Sequence, residues 1–300
     1  MKSRDIVLAT LVAFIWGTTF VVIKVGLGSF PPFLFVALRF ALAAFPAVFF
    51  IKRGNIPWKY IIAIGGALGV MTFSLLFVGM DLGMPAGLSS LVLQCQAIFT
   101  LILASAFLKD MPTFWQWTGV LVAFGGMVLL VVDMSTSPSF LGLLMVIAAG
   151  FFWSISNILM KKAGKVDMLA LIVWMSLIPP LPMLGASLLA ETGQWQAITD
   201  MTWAGFGAVF YIAIVGTVFG FGAWAYLFRE YSPNVVAPFS LLVPAFGIWS
   251  GSLLLGETLT VHEIAASCLL LGGVFLVVFG SRLPVKRIFR GAVTEPRQGG

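Results

Sequence analysis

Gln94 and Gln96 stand near the middle of an apolar run, 84–108, that opens with Pro85 and is followed by Lys109 and Asp110. At 1.5 Å per residue, roughly 20 apolar residues cover the hydrocarbon core of a bilayer. Both amides therefore fall close to its midplane, where an unpaired polar group costs several kcal/mol. A second run, 233–255, repeats the pattern weakly: Pro238 and Pro244 interrupt it, and Gly256 and Glu257 follow. Each proline removes a backbone donor, which takes the usual intrahelical partner from the carbonyls of Asn234 and Ser240. Carbonyls at such depth can bind an ammonium group. Two interrupted spans in corresponding parts of a chain point to a solute site inside the membrane. Two cations share the apolar stretches, Lys24 near the outer end of the first and Arg39 in the second, and charges so placed are functional candidates by default. No Asp or Glu occupies the middle of any stretch, so a carboxylate proton relay has no residues to run on.

These groups are positioned by elements that composition alone assigns to a membrane. With 60% apolar and 9% charged residues and a mean hydropathy of +1.08, the chain lies far outside the range of soluble domains. The hydrophobic stretches run approximately 6–26, 33–51, 59–80, 85–108, 113–132, 140–160, 168–189, 203–228, 233–255 and 261–280. This predicts an all-α polytopic membrane protein of ten transmembrane helices. The first stretch ends at no small-residue cleavage site and reads as a retained span. Connections are short, the longest being 190–202, so function must reside within the membrane. Cys95 and Cys268 sit in apolar runs without a CxxC or metal spacing, and read as packing residues.

Alternate loops divide by charge. Lys2, Arg4, Lys52, Arg53, Lys59, Lys109, Lys161, Lys162, Lys165, Arg229 and the tail residues Arg282, Lys286, Arg287, Arg290 and Arg297 fall on one side. Asp81, Asp133, Glu191, Asp200, Glu257 and Glu263 fall on the other. The positive-inside rule then puts both termini in the cytoplasm. The basic tail, 283–300, reads as a topology and headgroup signal rather than a nucleic-acid site.

Ten helices split into two sets of five, and an odd set inserts its copy upside down. Trp16 and Lys24 recur as Trp153 and Lys161 at the same spacing, Gly125–Gly126 matches Gly272–Gly273, and Asp110 and Glu257 precede those glycine pairs at equal distance. We therefore expect a first repeat over 1–134 and a second, inverted one over 135–282. Trp16, Thr19, Phe20 and Ile23 share one helical face, and Trp153, Ser156, Asn157 and Met160 share the corresponding one. Opposed across a pseudo-twofold axis, these faces suit a shared cavity, although polar residues also serve plain helix packing. On a continuous helix Gln94 and Gln96 lie about 200° apart. One is then structural, and Gln94, aligned with Ser90 and Ala97, is favoured as the lining residue. Lys24 is expected to snorkel to the outer headgroups, and Arg39 to bond helix carbonyls or the loop before its own helix. Lys161 joins them as the repeat counterpart of Lys24.

The chain resembles the drug/metabolite transporter superfamily in its ten-helix EamA-type branch. The resemblance rests on WGTTFVVIK from Trp16, ALRF ending at Phe40, PAGLSSLVLQCQAIFT from Pro85, APFSLLVPAFGIWSG from Ala237 and LGETLT from Leu255. It covers nearly the whole chain and is strongest to bacterial inner-membrane exporters of cysteine and O-acetylserine and to aromatic amino acid exporters of broad specificity. It implies two inverted five-helix repeats around a central cavity, alternating access and outward movement of amino acids or related metabolites. Lys109 and Asp110 depart from the Gly–Glu that the branch carries after helix four, while Gly256 and Glu257 keep it after helix nine.

A cavity of Trp16, Thr19, Phe20, Gln94, Trp153, Ser156, Asn157 and Ser240, with Lys24, Arg39 and Lys161 as gating or charge residues, suits small zwitterions with apolar or aromatic side chains. A nucleotide-sugar or organic-phosphate exchanger needs more cations than Lys24 and Arg39. A multidrug exporter of cationic compounds is the other alternative within the superfamily, and a channel is the alternative outside carriers. An enzyme lacks a nucleophile–base pair or a metal centre: the single histidine, His262, stands beside Glu263 with no second histidine. The expected partners are amino acid substrates and the bilayer, with no cofactor, no metal and no nucleic acid, and the expected form is a monomer in a bacterial inner membrane. Without a titratable midplane acid, a facilitator or exchanger is expected rather than proton coupling.

Overall fold

The structure, a computed structural model, describes residues 1–108, 112–134, 139–164, 166–231 and 236–280. Lys109, Asp110, Lys165, Pro233, Asn234 and the tail arginines and lysines lie outside the described residues. The apolar helices, numbered in chain order, are α1 Ser3–Leu27, α2 Pro32–Phe49, α3 Trp58–Asp81, α4 Ala86–Leu108, α5 Phe114–Asp133, α6 Phe140–Ala163, α7 Met168–Ala190, α8 Trp203–Glu230, α9 Phe239–Leu255 and α10 Val261–Phe279. Among the described residues nine are long and apolar enough to cross a membrane, and α9 is a shorter apolar helix. Among the described residues there is no strand. The chain is an all-α polytopic membrane protein, the architecture in which each span satisfies its own backbone without water. The connection between α7 and α8 carries a short helix, Gln194–Thr199, where hydropathy alone gave only a loop.

Local chemistry sets the helix ends. Thr260 and Glu263 form a capping box at the start of α10. Thr202 accepts from the Gly205 amide at 3.0 Å at the start of α8. Pro32 occupies the first turn of α2, where a missing N–H costs nothing. Two further ends are capped from a distance. Glu191, after α7, accepts from the Phe33 and Leu34 amides of α2 at 2.7 and 3.2 Å. Glu257, after α9, accepts from the Ala86 and Gly87 amides of α4 at 2.6 and 2.8 Å. Each carboxylate meets orphan donors and the positive end of a helix dipole.

Several spans depart from the regular α-helix, and they do so in the interior. Residues Gly65–Thr72 of α3 and Tyr211–Phe219 of α8 are π-helical. In each segment a threonine bonds a carbonyl five residues earlier, Thr72 to Ala67 at 3.0 Å and Thr217 to Ile212 at 2.8 Å. The span α4 is broken between Ala86–Val92 and Cys95–Leu108. The amides of Gln94, Gln96 and Ala97 there bond carbonyls three residues back, the tighter 3₁₀ pattern. The span α7 breaks at Pro179, between Met168–Met175 and Pro180–Ala190.

Packing follows from small residues and aromatic rings. Helix α1 lies against α9, α8 and the first part of α4, while α6 lies against α3 and the second part of α4. Helices α5 and α10 pack along their length, and glycines make that approach possible. A Cβ at Gly126 would stand 2.8 Å from the Ala266 carbonyl, and one at Gly273 2.4 Å from the Ala123 nitrogen. The best-buried core joins α2 and α3 through Phe30, Phe35 and Phe77, with ring centroids 5.7 and 5.0 Å apart. Exposed apolar side chains such as Leu121, Leu188 and Leu253 form the outer face, as a lipid-solvated surface requires.

Candidate functional site

Where α1, α3, α4, α6, α8 and α9 depart from one another at mid-depth they leave a cavity of about 180 Å³. Helix α1 supplies Trp16, Thr19, Phe20 and Ile23, the whole face that its periodicity predicts. From α3 come Phe73 and Leu76, from α6 Trp153, from α8 Ile212, Gly216, Thr217 and Phe221, and from α9 Ser240 and Val243. Arg39 of α2 completes the lining.

Helix α4 contributes Ser90, Leu93, Gln94 and Gln96 together. The expectation that only one glutamine faces the cavity does not hold. The 3₁₀ turn at Leu93 and Gln94 changes the angular step, so residues that would diverge on a regular helix both reach the lumen. Gln94 Nε2 lies 3.5 Å from the Ser240 carbonyl, the carbonyl whose helical donor position is occupied by Pro244. Gln96 Oε1 accepts from Asn157 Nδ2 at 2.8 Å, and the same nitrogen donates to Thr100 Oγ1 at 3.0 Å.

Other expected residues stand elsewhere. Asn157 and Lys161 border a separate cleft between α4, α6 and α10, with Gln96 as the residue common to both spaces. Ser156 is buried and donates to the Trp153 carbonyl at 2.7 Å. Rotation of α6 about its axis thus brings Trp153 to the cavity and turns Ser156 and Asn157 away. Lys24 Nζ is held by the protein, donating to the Met80 carbonyl at 2.6 Å in the last turn of α3. Among the described residues Arg39 bonds neither helix carbonyls nor a loop. It is buried, Nη2 donates to Thr217 Oγ1 at 3.2 Å, and its guanidinium carbon lies 4.0 Å from the Phe73 ring centroid and 4.6 Å from that of Phe40.

The polar edge of Trp16 is already engaged, with Nε1 donating to the Gly216 carbonyl at 2.9 Å. The π segment of α8 supplies that carbonyl, because its wider turn displaces the regular ladder. Trp16 therefore offers the cavity a ring face, alongside Phe221 and Trp224 at 5.1 Å each. Sequence reasoning overlooked Thr217, although a threonine beside Gly216 within an apolar span carries the same signal as Thr19. It also overlooked Phe73 and Phe221, which no pattern separates from other aromatic residues. No group of three or more metal-ligating side chains occurs among the described residues.

The cavity is apolar for most of its surface, carries one cation and a few neutral polar groups, and lies within a bundle of membrane-spanning helices. That combination defines a membrane transporter acting on small molecules. The profile of the EamA-like transporter family matches residues 4–132 and 140–279, and the chain belongs to that family. It is 39% identical to a protein named "Probable amino-acid metabolite efflux pump" in Salmonella typhimurium strain LT2, over 94% of this chain and 97% of that one. It is 37% identical, with the same coverage, to a protein of the same name in Escherichia coli strain K12. A crystal structure of a protein 17% identical in sequence superposes with a TM-score of 0.63, over 94% of this chain and 99% of that one, which speaks for the fold.

Proposed function

We propose that the protein exports amino acids, including aromatic and other apolar ones, and related small metabolites by alternating access with broad specificity. The cavity carries this reading. Its aromatic walls, Trp16, Phe20, Phe73, Trp153 and Phe221, come from both halves of the chain, and Thr19, Gln94, Gln96 and Ser240 provide sparse polar contacts. Apolar walls separate substrates that differ by one methylene by only about 1–3 kcal/mol, which favours a broad profile. The names of the two bacterial relatives support export and the substrate class.

The alternatives fit the lining less well. Among the described residues only Arg39 supplies a cation to the cavity, too few for a nucleotide sugar or organic phosphate. No lining residue is acidic, which disfavours cationic drugs.

The two halves, 1–134 and 135–282, are read as inverted repeats. The twofold match to the family profile, the paired π segments with Thr72 and Thr217, and the interface glycines Gly126 and Gly273 support this. The protein is read as a monomer of a bacterial inner membrane, and the charge pattern of its loops supports cytoplasmic termini. Flux of an amino acid panel through proteoliposomes tests the function. Saturable movement of leucine and phenylalanine is expected, and transport confined to anionic sugars or to organic cations would overturn it.

A further inference from the structure

We propose that Arg39 is the anchor for a substrate carboxylate, so that the cavity accepts solutes bearing one and rejects amines and amides that lack it. The inference rests on the reading of this cavity as the substrate site.

Arg39 is 4% exposed and lines the cavity. Among the described residues it forms no ion pair, and its single hydrogen bond is the 3.2 Å contact from Nη2 to the neutral Thr217 hydroxyl. Nε and Nη1 are buried with no acceptor. A buried cation without a counter-ion is costly, and buried donors left unmade cost more than a hydrogen bond contributes when formed. Two of the outer-loop carboxylates, Glu191 and Glu257, are each committed to a pair of backbone amides.

The surroundings also restrict how the guanidinium can be approached. Phe73 and Phe40 lie against it, their centroids 4.0 and 4.6 Å from its central carbon, and so cover part of it with ring surface. What stays open is the set of Nε and Nη1 donors, which project from the guanidinium edge in its plane. That edge is the geometry that receives a carboxylate in two parallel hydrogen bonds and that a lysine cannot reproduce. The missing anion is therefore assigned to the solute. A substrate ammonium finds no acid in the lining, only ring faces and neutral oxygens. The site thus selects on the carboxylate far more strongly than on the amine.

The test uses the full-length protein in detergent and four ligands sharing one side chain: leucine, 4-methylpentanoate, leucinamide and 3-methylbutylamine. Affinity is read from ligand-induced thermal stabilisation, and flux is read in proteoliposomes. Leucine and 4-methylpentanoate should bind at least about tenfold tighter than leucinamide and 3-methylbutylamine, the scale of a charge-assisted pair. Arg39→Gln should bring all four within about twofold of one another while melting normally without ligand. Arg39→Lys, which serves if the glutamine variant does not fold, should cut the preference to below about threefold. Wild-type protein that binds leucinamide as tightly as leucine would overturn the proposal, as would a folded Arg39→Gln variant that keeps the tenfold preference. If 4-methylpentanoate binds through Arg39 and leucine does not, the anchor stands and the amino acid reading falls. If none of the four binds, both fall.

Discussion

Replacing Glu257 should loosen the outer end of α4 by a measurable amount. Its carboxylate accepts from the Ala86 and Gly87 amides at 2.6 and 2.8 Å, and no intrahelical carbonyl exists for these first-turn donors. Loss of a capping acceptor costs about 1 kcal/mol. Loss of a negative charge at a partly exposed helix N-terminus costs a further 0.3–1 kcal/mol or so. For Glu257→Ala the sum is about 1.3–2 kcal/mol, roughly a 10- to 30-fold rise in local opening. Glu257→Gln keeps an acceptor oxygen but not the charge, so about 0.3–1 kcal/mol and roughly two- to fivefold are expected. Hydrogen–deuterium exchange of a peptide spanning 84–90 reads this directly, because the Ala86 and Gly87 amides within it are protected only while the cap holds. Exchange that rises less than about threefold in Glu257→Ala, with the protein otherwise folded, would refute the assignment of Glu257 as the cap of α4.

The paired glycines should behave unequally. Gly126→Ala and Gly273→Ala drive a methyl into the backbone of the partner helix and should cost about 1–3 kcal/mol. Gly125→Ala and Gly272→Ala meet nothing within 4 Å and should be neutral or mildly stabilising, as melting in detergent will show. Trp153→Ala, which truncates a cavity wall, should change the order of preferred substrates. Asn157→Ala, which releases Gln96 and Thr100, should raise KM across the panel without reordering it. A reordered profile in Asn157→Ala would place that side chain in the lumen. With no lining acid, an imposed pH gradient across liposomes holding equal zwitterion on both sides should cause no net accumulation. Uphill movement abolished by a protonophore would contradict this.

The spans were legible because a bilayer imposes length and apolarity on every helix that crosses it, and the observed bounds fall near those read from hydropathy. The lining face of α1 was legible for the same kind of reason: α1 is regular from Ser3 to Leu27, so its 3.6-residue period survives into the structure. The face of α4 was not, because Leu93 and Gln94 turn without a Pro or Gly to announce the break. Ser156 and Asn157 were misplaced because a repeated motif fixes position along a helix but not its rotation against its neighbours. Lys24 and Arg39 stood out by type, yet their partners, the Met80 carbonyl and the Thr217 hydroxyl, lie 56 and 178 residues away. Such contacts follow only from tertiary packing. The roles of Glu191 and Glu257 as caps were hidden likewise, since loop acids read in sequence only as topology charges.

The most direct test of an amino acid carrier working by alternating access is counterflow. Proteoliposomes loaded with unlabelled leucine and diluted into labelled phenylalanine should take up label above its equilibrium level and then release it, saturably, because each inward trip is driven by an outward one. Label that only rises linearly to equilibrium, without overshoot and without saturation, would contradict the account and point to a pore.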